Sequence, residues 1–196
     1  MTRFARPAAI IGLLVLGGLA ACTTATRPNF PDIRFTGEPP LRLDVASIEV
    51  KNDFHPTFRE PDVEHLFPVP PDRAVENWVH DRLQATGTTR RVVVHIRDAS
   101  VRETELPKKT GLTAEFTTQQ AERYDGRIAV DIDLLDDKGF AERTVAAEVT
   151  RTISVPEGIT PNQRDQAWYD MTKSMMADLD RELERQIRTN FTFYVQ

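Results

Sequence analysis

The pattern of hydrophobic and polar positions after residue 40 predicts six elements in the order strand, helix, three strands, helix. The predicted strands cover Leu41–Lys51, Arg91–Val101, Tyr124–Leu135 and Glu142–Val155. Apolar residues occupy every second position over much of these segments, as is typical of strands that bury one face. The first strand changes phase after Val45, which indicates a bulge. Asp136-Asp137-Lys138-Gly139 joins the last two strands and predicts a hairpin turn.

Two segments carry apolar residues at helical spacing. The first begins near Pro71-Asp72, continues with Val75, Trp78, Val79 and Leu83, and is expected to end at Gly87. The second begins at Thr160-Pro161-Asn162-Gln163, which supplies an N-cap, a proline at the first helical position and a capping-box glutamine. Its apolar stripe runs from Trp168 to Phe191. The segment Thr104–Glu122 fits either a loop or a short helix.

These elements predict one α+β domain over residues 41–196. Strands with one apolar and one polar face need helices on one side only. The expected architecture is a two-layer sandwich, in which two helices pack on one face of a four-stranded, mainly antiparallel sheet with the order β-α-β-β-β-α.

The first 21 residues differ from the rest of the chain. Arg3 and Arg6 precede an uncharged run from Pro7 to Ala20, and small residues follow it. This arrangement is typical of a secretory signal peptide. A spanning helix needs about 20 apolar residues, and this run is shorter.

The end of this segment, Leu19-Ala20-Ala21-Cys22, resembles the bacterial lipobox that lipoprotein signal peptidase recognises. The resemblance implies that Cys22 receives a diacylglycerol thioether, becomes the mature N-terminus and is N-acylated, with palmitate among the usual acyl groups. Cys22 is also the only cysteine in the chain, so it has no partner for an internal disulfide. Several acyl chains are expected to give a stable anchor.

The anchor is expected to hold the protein at the outer membrane, facing the periplasm. Thr23 stands where an Asp would signal retention in the inner membrane. Residues 22–40 are rich in proline and threonine, which predicts an extended tether, although Phe30, Ile33 and Phe35 could dock on the domain.

The composition of the chain limits the classes of partner that it can bind. The chain of 196 residues is 40% hydrophobic and 28% charged, with 25 Lys+Arg, 30 Asp+Glu and a net charge of −5. This composition is too apolar for a disordered chain. Nucleic-acid binding needs a concentrated basic face, so an acidic chain argues against it.

Residues that would indicate catalysis or a cofactor are sparse. His55, His65, His80 and His95 lack the close spacing of a helical zinc pair. No Gly-x-Ser-x-Gly nucleophile elbow and no glycine-rich phosphate loop occurs. We therefore expect no catalytic residue, metal or cofactor.

One carboxylate pair keeps an enzymatic alternative open. Asp131 and Asp133 share a strand face, with their side chains about 6–7 Å apart. This separation could serve general acid–base catalysis of glycoside hydrolysis. Solvated carboxylates paired with Arg127, Arg143 or Arg151 are the preferred interpretation.

Two loops are candidate partner-binding surfaces. Leu66 and Phe67 lie among prolines in the first loop, Val63–Pro71. Leu112 and Phe116 lie in the second loop, Leu106–Phe116. Apolar residues on preorganised extended segments make good docking elements. Leu66 and Phe67 could equally well plug one end of the sheet.

The order of elements behind a lipobox resembles two groups of small envelope lipoproteins. One is the lipopolysaccharide-assembly lipoprotein that plugs an outer-membrane translocon, and the other is the auxiliary lipoprotein of ABC-type lipid transporters. The resemblance covers roughly residues 41–191 and transfers no residue except Cys22. It implies a non-catalytic accessory that binds a β-barrel, an ABC-type transporter or a lipid-like ligand. The alternatives are an envelope enzyme acting on peptidoglycan and a structural lipoprotein without a dedicated ligand.

Overall fold

A computed structural model describes residues 29–107 and 120–195. The strands are β1 (Leu41–Leu43), β2 (Ser47–Asn52), β3 (Leu83–Ala85), β4 (Arg91–Asp98), β5 (Val101–Glu105), β6 (Gln120–Leu135) and β7 (Ala141–Pro156). The helices are α1 (Pro71–Arg82) and α2 (Pro161–Asn190), and one 3-10 turn covers Glu64–Leu66. None of the described helices is long and apolar enough to cross a membrane.

Strand β6 is the centre of the main sheet. Its C-terminal half pairs with β4 and its N-terminal half with β5, while β7 runs along the whole of its other edge. Strand β2 adds to the outer side of β4 in parallel. Strands β4 and β5 follow one another along the same edge of β6, and the β4–β6 pairing shifts register between Ile96 and Asp98.

The predicted two-layer α+β sandwich is confirmed, with two corrections to the sheet. The main sheet has five strands and not four. It is mainly antiparallel as predicted, and the β2–β4 pairing is its one parallel pairing among the described strands. The predicted first strand is in fact two strands, since β1 leaves the main sheet and pairs in parallel with β3. The phase change after Val45 marks this division.

The first helix ends earlier than predicted. Leu83 already has an extended backbone, and β3 follows directly. Gly87 is therefore not a helix cap. A Cβ atom at Gly87 would lie 2.7 Å from the backbone carbonyl carbon of Asp44, so the glycine allows two chain segments to approach closely.

The second helix has the predicted start and stripe. The Thr160 side chain accepts a hydrogen bond from the Gln163 backbone, and the Gln163 side chain accepts one from the Thr160 backbone. This reciprocal pair satisfies two free N–H groups at the helix start. The inward stripe of α2 is buried: Trp168, Met171, Met175, Leu179, Leu183, Ile187 and Phe191.

The two faces of the sheet differ in polarity. Alternate residues of β4 and β6, such as Val94, Ile128 and Ile132, are fully buried under the helices. The residues between them, including Asp131 and Asp133, lie on the opposite face, which neither α1 nor α2 covers. We call it the uncovered face with reference to these two helices. This is the period-two pattern of a half-buried sheet.

The segment before β1 lies against α1. The side chain of Ile33 is 6% exposed, and the Asn77 side chain donates a hydrogen bond to its carbonyl. The Asp81 carboxylate accepts hydrogen bonds from the Arg34 guanidinium and from the backbone N–H of Phe35. The Arg34 contact is the main reason that the pKa of Asp81 falls from 3.8 to about 2.

Candidate partner-binding surfaces

The first candidate loop divides into a buried and an exposed part. Phe67 is 4% exposed, and its ring stacks on that of Trp168 with centroids 4.9 Å apart. Leu66 beside it is 56% exposed. Phe67 therefore closes one end of the core, while Leu66 remains available to a partner.

Phe58 extends this exposed surface and was not anticipated. Its side chain is 68% exposed, and its ring lies 5.2 Å from that of His65. Its φ of +55° is in the left-handed region, which a phenylalanine seldom adopts. The pattern of apolar positions missed Phe58 because it stands alone between Thr57 and Arg59. We call Phe58 and Leu66 the loop patch.

Six of the sequence-predicted site residues lie outside the described residues. They are Leu19, Ala20, Ala21 and Cys22 of the lipobox and Leu112 and Phe116 of the second loop. Their assignments stay predictions.

A second exposed apolar pair lies at the hairpin end of the sheet. Phe140 is 70% exposed just after the β6–β7 turn, and Phe193 is 90% exposed after α2. Tyr194 connects the two segments, because its hydroxyl donates a hydrogen bond to Glu142 and its ring lies 5.1 Å below the Arg90 guanidinium. The sequence placed Phe140 after a turn, which was the available signal for its exposure.

The carboxylates considered for catalysis are engaged on the uncovered face of the sheet. Asp131 lies 3.5 Å from the Nε of Arg97. Asp133 accepts a 2.6 Å hydrogen bond from the Thr144 hydroxyl and lies 3.8 Å from Nε2 of His95. Neither contacts Arg127, Arg143 or Arg151 as the sequence suggested. Asp131 and Asp133 are thus solvated carboxylates with polar partners, as the preferred interpretation expects, but the partners are Arg97, Thr144 and His95.

Arg127 illustrates the electrostatics of this face. It contacts Glu148 through two parallel hydrogen bonds of 2.9 and 2.8 Å, and it also contacts Asp98 at 2.8 Å. The fork geometry of guanidinium suits such bidentate pairing. The pKa of Glu148 is lowered mainly because Arg127 donates these hydrogen bonds to it.

The histidines are dispersed. Nδ1 of His95 lies 2.7 Å from Asp53, and this contact is the main cause of the lowered pKa of Asp53. His55 contacts the carbonyl of Phe54, and His80 is exposed. Within residues 29–107 and 120–195, no group of three potential ligands is arranged to hold a metal ion.

A charged cavity of about 370 Å³ opens at the far end of β6. Glu122 on its wall accepts hydrogen bonds from Arg164 at 2.8 Å and from the hydroxyl of Tyr124 at 2.5 Å. Burial, and then the nearby Glu122 carboxylate, raise the pKa of Glu103. The Glu122 carboxylate is thus bound by Arg164 and Tyr124 of the same domain.

A groove of about 570 Å³ separates the edge strand β2 from α1. Ile48, Val50 and Asn52 line one side of it. Glu76, Val79 and His80 on α1 and Leu83 after it line the other. The groove is therefore apolar in its middle and polar where Asn52 meets Glu76.

Comparison with known proteins gives structural similarity only. No protein-family model matches the chain, and no curated protein matches it. The fold is similar to that of three crystal structures. They are a candidate lipoprotein from Caulobacter crescentus CB15, a minor lipoprotein from Acinetobacter baumannii and the rare lipoprotein B from Shewanella oneidensis. Their identities are 18%, 14% and 11%, and their TM-scores are 0.41, 0.39 and 0.39. The alignments cover 72%, 75% and 73% of this chain and 88%, 93% and 94% of the respective structures.

Proposed function

We propose that this chain is a lipid-anchored, non-catalytic accessory protein of the bacterial envelope that supports assembly or transport at the outer membrane. The observation that carries the proposal is the sequence Leu19-Ala20-Ala21-Cys22 after a charged and then apolar leader. A lipid on Cys22 supplies attachment without a spanning helix.

The position of the described domain makes the anchor short. The structure describes the chain from Asn29 onward, and Phe30 packs on Tyr169 of α2 with ring centroids 5.2 Å apart. The seven residue steps from Cys22 to Asn29 span at most about 25 Å when fully extended. Residues 30–35 dock on α2 through Phe30 and on α1 through Ile33, Arg34 and Phe35. This docking shortens the tether expected from the proline-rich sequence. The anchored domain would stay near the bilayer surface.

The exposed apolar residues support a binding role over an enzymatic one. The loop patch of Phe58 and Leu66 and the pair Phe140 and Phe193 lie in two separate parts of the surface. These large exposed apolar side chains are available to contact a partner. Asp131 and Asp133, on which the enzymatic alternative rests, contact Arg97 and Thr144.

Replacement of the acylated residue tests the anchor. The Cys22→Ser variant should lose incorporation of an alkyne-labelled fatty acid and move from the membrane fraction to the soluble periplasmic fraction or remain unprocessed. The matched control Thr23→Ser leaves the lipobox intact and should label as the wild type does. Equal labelling of Cys22→Ser and wild type would overturn the lipid anchor.

Purification from envelopes tests the accessory role. The C-terminally tagged protein, crosslinked mildly and solubilised in detergent, should recover a β-barrel or an ABC-type transporter subunit in stoichiometric amount. Leu66→Asp should reduce that recovery, whereas Glu60→Ala in the same loop should not. Recovery of the lipoprotein alone would favour a lone ligand binder, a structural lipoprotein or an enzyme.

A further inference from the structure

The edge strand β2 offers free backbone hydrogen-bonding groups beside the groove described above. It pairs with β4 on one side, and no strand in the described part of the chain pairs with its other side. An unpaired edge presents N–H and C=O groups that can extend a sheet. The described edge is six residues long, which corresponds to about 20 Å of strand.

The groove next to this edge has an apolar floor. Val79 and Leu83 of the α1 side are 4% and 7% exposed and form the base. Ile48 and Val50 lie on the same face of β2, because side chains two residues apart share a face. Val50 remains 37% exposed although it is aliphatic and faces the groove. Apolar side chains of a ligand could therefore bury it.

One end of the groove is acidic. The Asn52 side-chain amide donates hydrogen bonds to Asp72 at 3.1 Å and to Glu76 at 3.4 Å. No Lys or Arg among the described residues forms an ion pair with either carboxylate. Two carboxylates near one amide attract a cation. A ligand with a basic group at this end would have charge complementarity.

We propose that this groove binds an extended peptide segment of a partner protein, which adds as a further strand to the free edge of β2. Main-chain hydrogen bonds to β2 would supply affinity, and alternate side chains in the groove would supply selectivity. The segment would place apolar side chains over Val50 and Val79 and a Lys or Arg beside Glu76. An acyl chain fits the site less well, because it can neither hydrogen-bond to the β2 backbone nor supply a charge to the Glu76 carboxylate.

A peptide-display selection tests this proposal directly. A library of random ten-residue peptides is selected on the detergent-purified full chain, and enriched peptides are synthesised for affinity measurement. We expect a consensus with apolar residues at every second position and a Lys or Arg at one end. Val50→Arg should weaken binding at least about tenfold, because its side chain occupies the groove and can pair with Glu76.

Glu49→Arg is the matched control, since Glu49 adjoins Val50 on the same strand and points to the other face of the sheet. It should bind the peptide with unchanged affinity. Glu76→Gln should weaken peptides that carry the basic residue by about threefold to tenfold, and the weakening should shrink in high salt. Peptide binding should also slow amide hydrogen exchange in residues 47–52.

Three outcomes would overturn the proposal. The first is a selection without any enriched peptide, and the second is equal binding of an enriched peptide to wild type and Val50→Arg. The third is a dimer of the wild-type chain that Val50→Arg dissociates, which would assign the β2 edge to pairing between two copies. Because Val50 is already partly exposed, circular dichroism should show that its variants fold, so a loss of binding reports on the groove.

Discussion

Arg82 and Arg97 have similar partners in two different regions of the molecule. Arg82 lies between α1 and α2, is 1% exposed, and contacts Asp180 at 2.8 Å and Glu184 at 2.6 Å. Arg97 lies on the uncovered face of the sheet, is 54% exposed, and contacts Asp53 at 3.2 Å and Asp131 at 3.5 Å. Each guanidinium thus bridges two carboxylates.

Burial gives these two arrangements different energetic roles. Water solvates and screens the charges around Arg97, so its pairs contribute little to stability. Arg82 has lost its water, and it also donates to the carbonyl of Pro39. Asp180 additionally accepts a 2.7 Å hydrogen bond from Trp78. A charge without water must keep all its partners, so the buried cluster ties α1, α2 and the segment before β1 into one arrangement.

The largest expected effect comes from removing the buried cation. Arg82→Ala should lower the free energy of unfolding by about 3 kcal/mol, because it leaves Asp180 without its cation and opens a cavity. Glu184 keeps its second ion pair, which it forms with Arg188 at 2.8 Å. Urea unfolding at pH 7 measures this change.

Arg97→Ala is the matched control, because it removes a guanidinium with the same number of carboxylate partners. Its Tm should stay within about 2 °C of the wild type. Equal destabilisation by Arg82→Ala and Arg97→Ala would contradict the difference in energetic role between the buried and the exposed guanidinium. Arg82→Lys should be intermediate, since an ammonium cannot reproduce the fork of the guanidinium.

Asp81 is an intermediate case, with a buried carboxylate and an exposed cation. Its own side chain is 2% exposed and that of Arg34 is 44% exposed. Asp81→Asn should cost about 1 kcal/mol at neutral pH, a value reduced for the solvent that screens Arg34. Urea unfolding of both proteins at several pH values measures the difference.

The pH dependence of this stabilisation follows from the lowered pKa of Asp81. The pKa of Asp81 falls from 3.8 to about 2, because Arg34 and the backbone of Phe35 hydrogen-bond to the ionised form. The unfolded chain therefore binds this proton more readily than the folded chain does. The stabilisation is present above pH 3.8 and is lost as pH falls toward 2, so wild type and Asp81→Asn should converge there. A difference that stays constant from pH 7 to pH 2 would contradict the assignment.

The smallest effect is expected on the uncovered face. Asp131→Asn and Asp133→Asn should each change the free energy of unfolding by no more than about 0.5 kcal/mol, as is usual for surface substitutions. Both variants should also complement a deletion strain fully if the chain is not an enzyme. Loss of complementation by a stably folded, normally anchored variant would restore the enzymatic alternative.

The sequence predicted the elements that local patterns define. The start of α2 at Pro161 was predictable because Thr160 and Gln163 form a capping box within four residues. The long strands β6 and β7 were predictable because each alternates over many positions and a turn joins them. The arrangement of β4, β5 and β7 along the two edges of β6 could not be predicted, since it depends on contacts between distant segments.

The candidate surfaces show the same division. Leu66 and Phe67 are neighbours of similar apolar character, yet one is exposed and the other stacks on Trp168, more than 100 residues further along the chain. The groove beside β2 was not predicted, because Val50 and Val79 look like ordinary core positions. Val50 is partly exposed because it lines the groove at the edge of the described sheet.

The sequence by itself determined the α+β class and the helix and strand periods, and it predicts lipid attachment at Cys22, because each depends on residues close together in the chain. The tertiary structure decided that β1 leaves the main sheet, that Arg82 and not Arg97 is buried, and that β2 is an edge strand among the described strands. These features depend on which distant segments meet and on how much water their meeting excludes. That exclusion sets the energy of a charge or an apolar side chain, and it is a property of the folded chain.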